Sequence, residues 1–266
     1  MKVNNLEFNI QDSGSGDALL WGHGLMASMA SEDLLGMYGW DQFPAGQRLV
    51  RYDARGHGKT ESSYFPEDYH WKNLSNDMLS IADELEIDRF IAGGQSMGCA
   101  TSIYAGLLAP DRVKGMILMN PPTAWETRVA QGKLYRKFAR MGGLLGGNIL
   151  EKIIGRDMGR ILPQWLLDEH TGNVHGALDG LKSLKRRTLL NLFKGAALTD
   201  LPSPVEIQAI DIPTLILGWV DDPSHPLETA TELDRLLPQS ALHIAKGYSD
   251  FERWPELIRE FSAKIN

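Results

Sequence analysis

The sequence predicts an α/β fold, with a mainly parallel central sheet flanked by helices and an inserted helical lid. Three observations carry that prediction. Apolar segments of strand length alternate with segments of helical period, the pattern of βαβ units. Several strand segments are continuous apolar runs, as expected where helices cover both faces of a sheet. One long stretch, 121–212, contains helical patterns only.

The expected strands are Val3–Ile10, Ala18–Trp21, Arg48–Tyr52, Arg89–Ala92, Val113–Met119, Thr214–Trp219 and Ala241–Ala245. Between them Asn73–Leu85 repeats apolar residues at helical spacing (Leu74, Met78, Ile81, Leu85), and Pro226–Leu237 and Pro255–Phe261 read the same way. From Pro121 to about Ile212 glycines separate helical patterns, and a structureless loop of that length is implausible in a compact domain. The expected organisation is therefore a core of residues 1–120 and 213–266 with a lid of 121–212. A chain of 266 residues suffices for both.

Composition narrows the function classes. The formal net charge is −7, and the short Lys182–Arg187 stretch is the densest run of cations. Nucleic acid is therefore not an expected partner, since neutralising phosphates takes clustered Lys and Arg, and an anionic membrane surface is disfavoured for the same reason. No run of eighteen apolar residues occurs, so no membrane span is expected. Cys99 is the single cysteine and no intrachain disulfide can form. The first residues carry no apolar signal-peptide core, and the expectation is a cytoplasmic domain.

Two motifs carry the chemistry. Gly94-Gln95-Ser96-Met97-Gly98 holds the pattern G-x-S-x-G, weak alone but set here between an apolar strand and the helix-like Cys99–Leu108. A tight turn at that junction strains the serine backbone and requires absent side chains on either side of it, which Gly94 and Gly98 supply. It also sets Ser96 at a helix N-terminus, where free N–H groups favour developing negative charge. The second motif, Trp21-Gly22-His23-Gly24-Leu25-Met26, follows an early strand. Together these resemble the α/β-hydrolase family. The resemblance implies a serine nucleophile at Ser96 and an oxyanion hole formed by the backbone N–H groups of Leu25 and Met97, with Gly24 in the donor loop and His23 orienting it. A third block, Asp53-Ala54-Arg55-Gly56-His57-Gly58-Lys59-Thr60, resembles the family's D-x-R-G-x-G-x-S segment with Thr60 in place of serine, and Asp53 and Arg55 are implied to hold loops near the site.

The family's acid and base follow the last two strands. Leu217-Gly218-Trp219-Val220-Asp221-Asp222-Pro223 matches the acid segment, with spacing from Gly218 favouring Asp221 and the following proline favouring Asp222. At the base position, Gly247-Tyr248-Ser249-Asp250, the histidine is replaced by Tyr248, a phenol whose ordinary pKa near 10 makes it a poor general base. Among the other histidines, His70, His170 and His175 read as surface residues, and His243 as a packed, hydrogen-bonded strand residue. His225, on the loop after the acid-bearing strand, is the expected replacement base, oriented by Asp221, Asp222, Glu126 or Asp250. The competing reading is that His225-Pro226 starts the next helix.

In the lid, Trp125 is an expected substrate contact, and Glu126 and Arg128 either face the pocket or pair on the helix surface. Leu144, Leu145, Ile149, Leu150, Ile153, Ile154, Leu162, Leu166 and Leu167 either line an apolar pocket or pack the lid. The expected function is hydrolysis of a carboxylic ester or related acyl bond through a Ser96 acyl-enzyme, on a small substrate with an apolar acyl or alcohol group, with no metal and no organic cofactor. Two other functions remain open on the same fold: a non-catalytic ligand-binding protein, and a cofactor-free lyase or oxygenase.

Overall fold

The computed structural model describes residues 1–36, 38–40, 43, 46–178, 180–222 and 224–265, without the side chains of 160, 170–173 and 175–177. In chain order the strands are β1 (Lys2–Val3), β2 (Leu6–Glu7), β3 (Ile10–Gly14), β4 (Asp17–Gly22), β5 (Gln47–Tyr52), β6 (Phe90–Gln95), β7 (Val113–Met119), β8 (Thr214–Trp219) and β9 (Ser240–Ala245). Seven of them form one sheet in the order β3-β5-β4-β6-β7-β8-β9. Only β3 runs antiparallel, against β5; the other neighbours are parallel. Every residue of β8, and all but the last of β6, is buried, because helices cover both faces. The edge strand β9 alternates in exposure instead.

Five expected strands lie within one residue of those observed, and Arg89–Ala92 is observed as Phe90–Gln95. Val3–Ile10 is the exception. Asn4 and Asn5 take left-handed φ values of 49° and 64° and fold β1 back onto β2 as a separate hairpin. Two successive left-handed residues make the turn that matches the twist of a tight hairpin, and Asn tolerates that conformation better than most side chains. His243 is a second correction: β9 is an edge strand, so this side chain is exposed rather than packed. His70 is half-buried at the start of a helix, and His170 and His175 lie outside the described side chains.

The helices of the sheet layers are α1 (Met29–Leu35), α2 (Trp71–Glu84) and α3 (Met97–Leu108). Between β7 and β8 the chain forms α4 (Trp125–Leu145), α5 (Gly147–Gly155), α6 (Gln164–Ala177), α7 (Gly180–Ser183), α8 (Arg186–Leu198) and α9 (Pro204–Gln208). After β8 come α10 (Leu227–Leu236), α11 (Tyr248–Phe251) and α12 (Trp254–Lys264). Helices α4 to α8 bury their own cluster, including Leu150, Val174, Leu189, Leu192 and Phe193. Two further clusters lie on the two faces of the sheet. No helix among the described residues is long and apolar enough to cross a membrane.

Candidate active site

The site is built where β6 turns into α3. Ser96 sits between them with φ 53° and ψ −106°, a strained conformation for a residue with a side chain. Close backbone approach enforces it. A Cβ on Gly98 would stand 1.9 Å from the Gly22 carbonyl oxygen, and one on Gly94 would stand 2.4 Å from it. The end of β4 and the start of α3 can touch only because Gly94 and Gly98 carry no side chain. The Ser96 N–H donates to Met119 O at 3.0 Å, tying the turn to β7. Ser96 itself is half-buried, with its side chain on the wall of a cavity.

The loop after β8 brings a base to this hydroxyl. His225 Nε2 lies 2.9 Å from Ser96 Oγ, and His225 Nδ1 lies 2.7 Å from Asp222 Oδ2. Asp222 is fully buried and accepts three more hydrogen bonds: from Trp219 Nε1 at 2.8 Å, Ser224 N at 2.7 Å and His225 N at 3.2 Å. With the carboxylate accepting at Nδ1, the proton belongs there and Nε2 is left to accept from the serine. Acid and base are thus three residues apart on one loop, closed by the bond from Ser224 N back to the Asp222 side chain.

The other candidates for the acid lie elsewhere. Asp221, in the left-handed region with φ 66°, is exposed, whereas Asp222 is buried. Glu126 is exposed on the first turn of α4, and Asp250 accepts from Lys246 N on the surface. Tyr248 lies on α11, where burial is the main cause raising its phenol above the ordinary value.

The loop expected to supply oxyanion donors follows β4. His23 is buried, accepts from Ala54 N at Nε2 (3.0 Å) and donates from Nδ1 to Gly24 O (2.8 Å), so it braces the loop. Burial lowers its pKa and holds it neutral. Gly24 and Leu25 line the same cavity as Ser96, and a Cβ on Gly24 would lie 3.6 Å from Ser96 Cβ. Met97 is the first residue of α3, so its N–H has no partner within the helix. Asp53 and Arg55 fix the adjoining loops: Asp53 accepts from Met29 N, Lys59 N and Asn9 Nδ2, and Arg55 forms a two-pronged ion pair with Asp77.

The cavity is about 130 Å³, room for roughly ten water-sized groups. Helices α4 and α6 and their neighbours supply its apolar wall, notably Leu134, Tyr135, Phe138, Met158, Leu162 and Val174. Most of the apolar residues expected either to line a pocket or to pack the lid do not line the cavity, and neither does Trp125. Leu144 is 73% exposed, and Leu150, Ile154, Leu166 and Leu167 are spent on packing; of the nine residues only Leu162 lines the cavity. Trp125 is turned away, its indole N–H donating to Pro202 O, because the first turn of α4 packs on the loop after α8. Arg128 is buried and structural: it donates to Thr199 O and Ala196 O and stacks on Trp71 at 4.2 Å. The stripe that faces the cavity, Gln131, Leu134, Tyr135 and Phe138, repeats at i, i+3, i+4, i+7, a signal present in the sequence. Among the described residues no cluster of side chains suits a metal ion.

The family model described as the alpha/beta hydrolase fold matches residues 17–143, the segment that carries the donor loop and the serine turn. That match covers just under half of the chain, and the fold is the α/β-hydrolase fold. Among curated relatives, epoxide hydrolase 2 of Siraitia grosvenorii is 29% identical over 122 residues, 44% of this chain and 36% of the relative. The chain thus spans about a third of the length of the epoxide hydrolases it matches. The AB hydrolase superfamily protein YisY of Bacillus subtilis (strain 168) is 25% identical over an alignment of 275 residues, covering 95% of this chain and 94% of that protein. A thermophilic esterase from Thermogutta terrifontis superposes with a TM-score of 0.80 at 20% identity, over 98% of this chain and 94% of the esterase. At that identity the likeness is one of fold.

Proposed function

We propose that this chain is a serine hydrolase that cleaves a carboxylic ester or related acyl bond through an acyl-enzyme on Ser96. The observation that carries the reading is the relay Ser96 Oγ, His225 Nε2, His225 Nδ1, Asp222 Oδ2, with links of 2.9 and 2.7 Å. A serine hydroxyl is a weak nucleophile until a base removes its proton, and a neutral imidazole held by a carboxylate is suited to that task. In this mechanism His225 takes the Ser96 proton as Oγ attacks the carbonyl carbon. The N–H groups of Leu25 and Met97 hold the resulting oxyanion, each contributing on the order of 3 kcal/mol. His225 then protonates the leaving alkoxide. Water, deprotonated in turn by His225, cleaves the acyl-enzyme and releases the acid.

The apolar wall supports an apolar acyl group as the occupant of the cavity, and the helical segment 121–212 is read as the lid that covers it. The absence of histidine at position 248 favoured a decayed, ligand-binding protein; a base already in reach of Ser96 removes that reason. The test is labelling by a fluorophosphonate together with steady-state hydrolysis of p-nitrophenyl octanoate. The wild type is expected to be labelled at Ser96 and to turn over, and Ser96→Ala to lose both, with kcat/KM reduced by about 10⁴-fold or more. Labelling elsewhere, or turnover that survives Ser96→Ala, overturns the proposal.

A further inference from the structure

Gln95, the residue before the serine, is an amide on the wall of the same cavity with its oxygen already hydrogen-bonded. Its Oε1 accepts from the Tyr38 hydroxyl at 2.5 Å. Tyr38 cannot swing away: its ring is 2% exposed, stacks on Trp40 (5.4 Å, 10° between planes) and meets the edge of Trp21 at 5.7 Å. Burial also pushes the Tyr38 phenol well above its ordinary pKa, so it remains a donor at any working pH. The amide is thereby held with its Nε2 donors unpaired by any described residue. An amide that loses water without gaining a partner costs roughly 1–3 kcal/mol. Ligand binding in a largely apolar cavity would impose that cost on Gln95 unless the ligand itself offers an acceptor.

The location narrows where that acceptor lies. The point a Cβ on Gly24 would occupy is 3.6 Å from Ser96 Cβ and 3.9 Å from Gln95 Oε1. The amide therefore stands beside the nucleophile and the donor loop, within a few bonds of a carbonyl attacked by Ser96. It shares one cavity with the wall of Leu134, Tyr135 and Phe138 that would take the acyl chain.

Resting on the serine-hydrolase reading above, we propose that Gln95 is a specificity-determining residue whose Nε2 donates to an ether, keto or hydroxyl oxygen near the scissile carbonyl. The preferred substrate is then an oxygen-substituted acyl ester or lactone, in preference to one with a plain hydrocarbon chain. Tyr38 is a positioning residue that keeps the donors turned toward the ligand.

The experiment compares p-nitrophenyl octanoate with its 3-oxa, 4-oxa and 5-oxa counterparts, in which an ether oxygen replaces one methylene. The readout is the kcat/KM ratio of each oxa ester to the octanoate, compared between wild type and variant so that intrinsic ester reactivity cancels. For the best-placed oxygen, Gln95→Met is expected to lower the ratio about tenfold, since it removes both donors at similar volume. Gln95→Glu, which still accepts from Tyr38 but donates nothing at pH 8, is expected to lower it at least as far. Tyr38→Phe retains the donors and releases them, and is expected to lower the ratio part of the way. Equal ratios in wild type and Gln95→Met at every oxygen position overturn the inference while leaving the hydrolase reading intact. If the wild type hydrolyses none of the four esters, the hydrolase reading fails by itself. Calorimetric titration of Ser96→Ala and of Ser96→Ala/Gln95→Met with the same esters then reads the contact without turnover. Loss of the oxa preference in the double variant supports the Gln95 contact, and an unchanged preference sinks it.

Discussion

The serine turn and the 219–225 loop hold their side chains by opposite means. At the turn, geometry comes from what is missing: Gly94 and Gly98 let two backbones touch, and the contact accompanies the strained conformation of Ser96. On the loop, geometry comes from one carboxylate. Asp222 collects hydrogen bonds from Trp219, Ser224 and His225, and the imidazole stands where that cluster puts it. A turn built on steric contact tolerates no added atom, whereas a loop built on a polar hub tolerates change everywhere except at the hub.

The comparison can be broken first at the base. His225→Ala is expected to lower kcat/KM on p-nitrophenyl octanoate by about 10⁴- to 10⁶-fold, near the effect of losing the serine, because the two act as one unit. If the variant kept more than a tenth of wild-type activity, another residue would have to serve as base. Next comes the hub. Asp222→Asn puts an N–H where the imidazole N–H must donate, and about a 10³- to 10⁴-fold loss in kcat is expected. The exposed neighbour supplies the control: Asp221→Asn is expected to stay within about twofold, and comparable losses in the two variants would mean that the loop is not organised around Asp222.

The turn is tested by adding one methyl group. Gly98→Ala places a carbon 1.9 Å from the Gly22 carbonyl oxygen, so β4 and α3 must separate. About 3 kcal/mol of stability or more should be lost in urea titration. A variant with an unchanged midpoint would show that the contact is looser than described.

The smallest effect concerns the floor of the donor loop. His57 packs against His23 at 4.9 Å between ring centres, and burial, followed by the neighbouring His23, holds its pKa down to about 3. The unfolded chain takes up this proton near 6.5, so the stability is complete above that pH and falls as pH drops from 6.5 toward 3. His57→Gln should therefore flatten the acid side of the stability-against-pH curve, by at most about 1.4 kcal/mol per pH unit. An equally steep curve in the variant would assign the acid lability to other groups.

Legibility differed between these regions for the same physical reason. The serine turn was readable because steric contact writes itself as glycine at fixed spacing, a local pattern that survives without coordinates. The loop after β4 was readable likewise, through His23 and Gly24 next to a strand end. On the acid loop the sequence narrowed the choice to two adjacent aspartates and stopped, because the difference is which one faces inward. A Trp219 indole seeking an acceptor three residues away was the local hint. The segment 121–212 was legible as helices but not in its facing, since Leu, Ile and Phe satisfy a packed interface and a cavity wall alike. Trp125 was misread for that reason.

By itself the amino-acid order determined the layered fold, the positions of six strands of its central sheet and the strained turn at Ser96. These depend on hydrophobic periodicity and on the steric size of neighbours in the chain. Tertiary structure alone decided that His225, 129 positions beyond Ser96, comes within 2.9 Å of it, that Asp222 and not Asp221 turns inward, and that Tyr38 locks the Gln95 amide. Such contacts join segments whose separation along the chain carries no periodic signal. They exist only once the sheet has closed the distance between its strand ends.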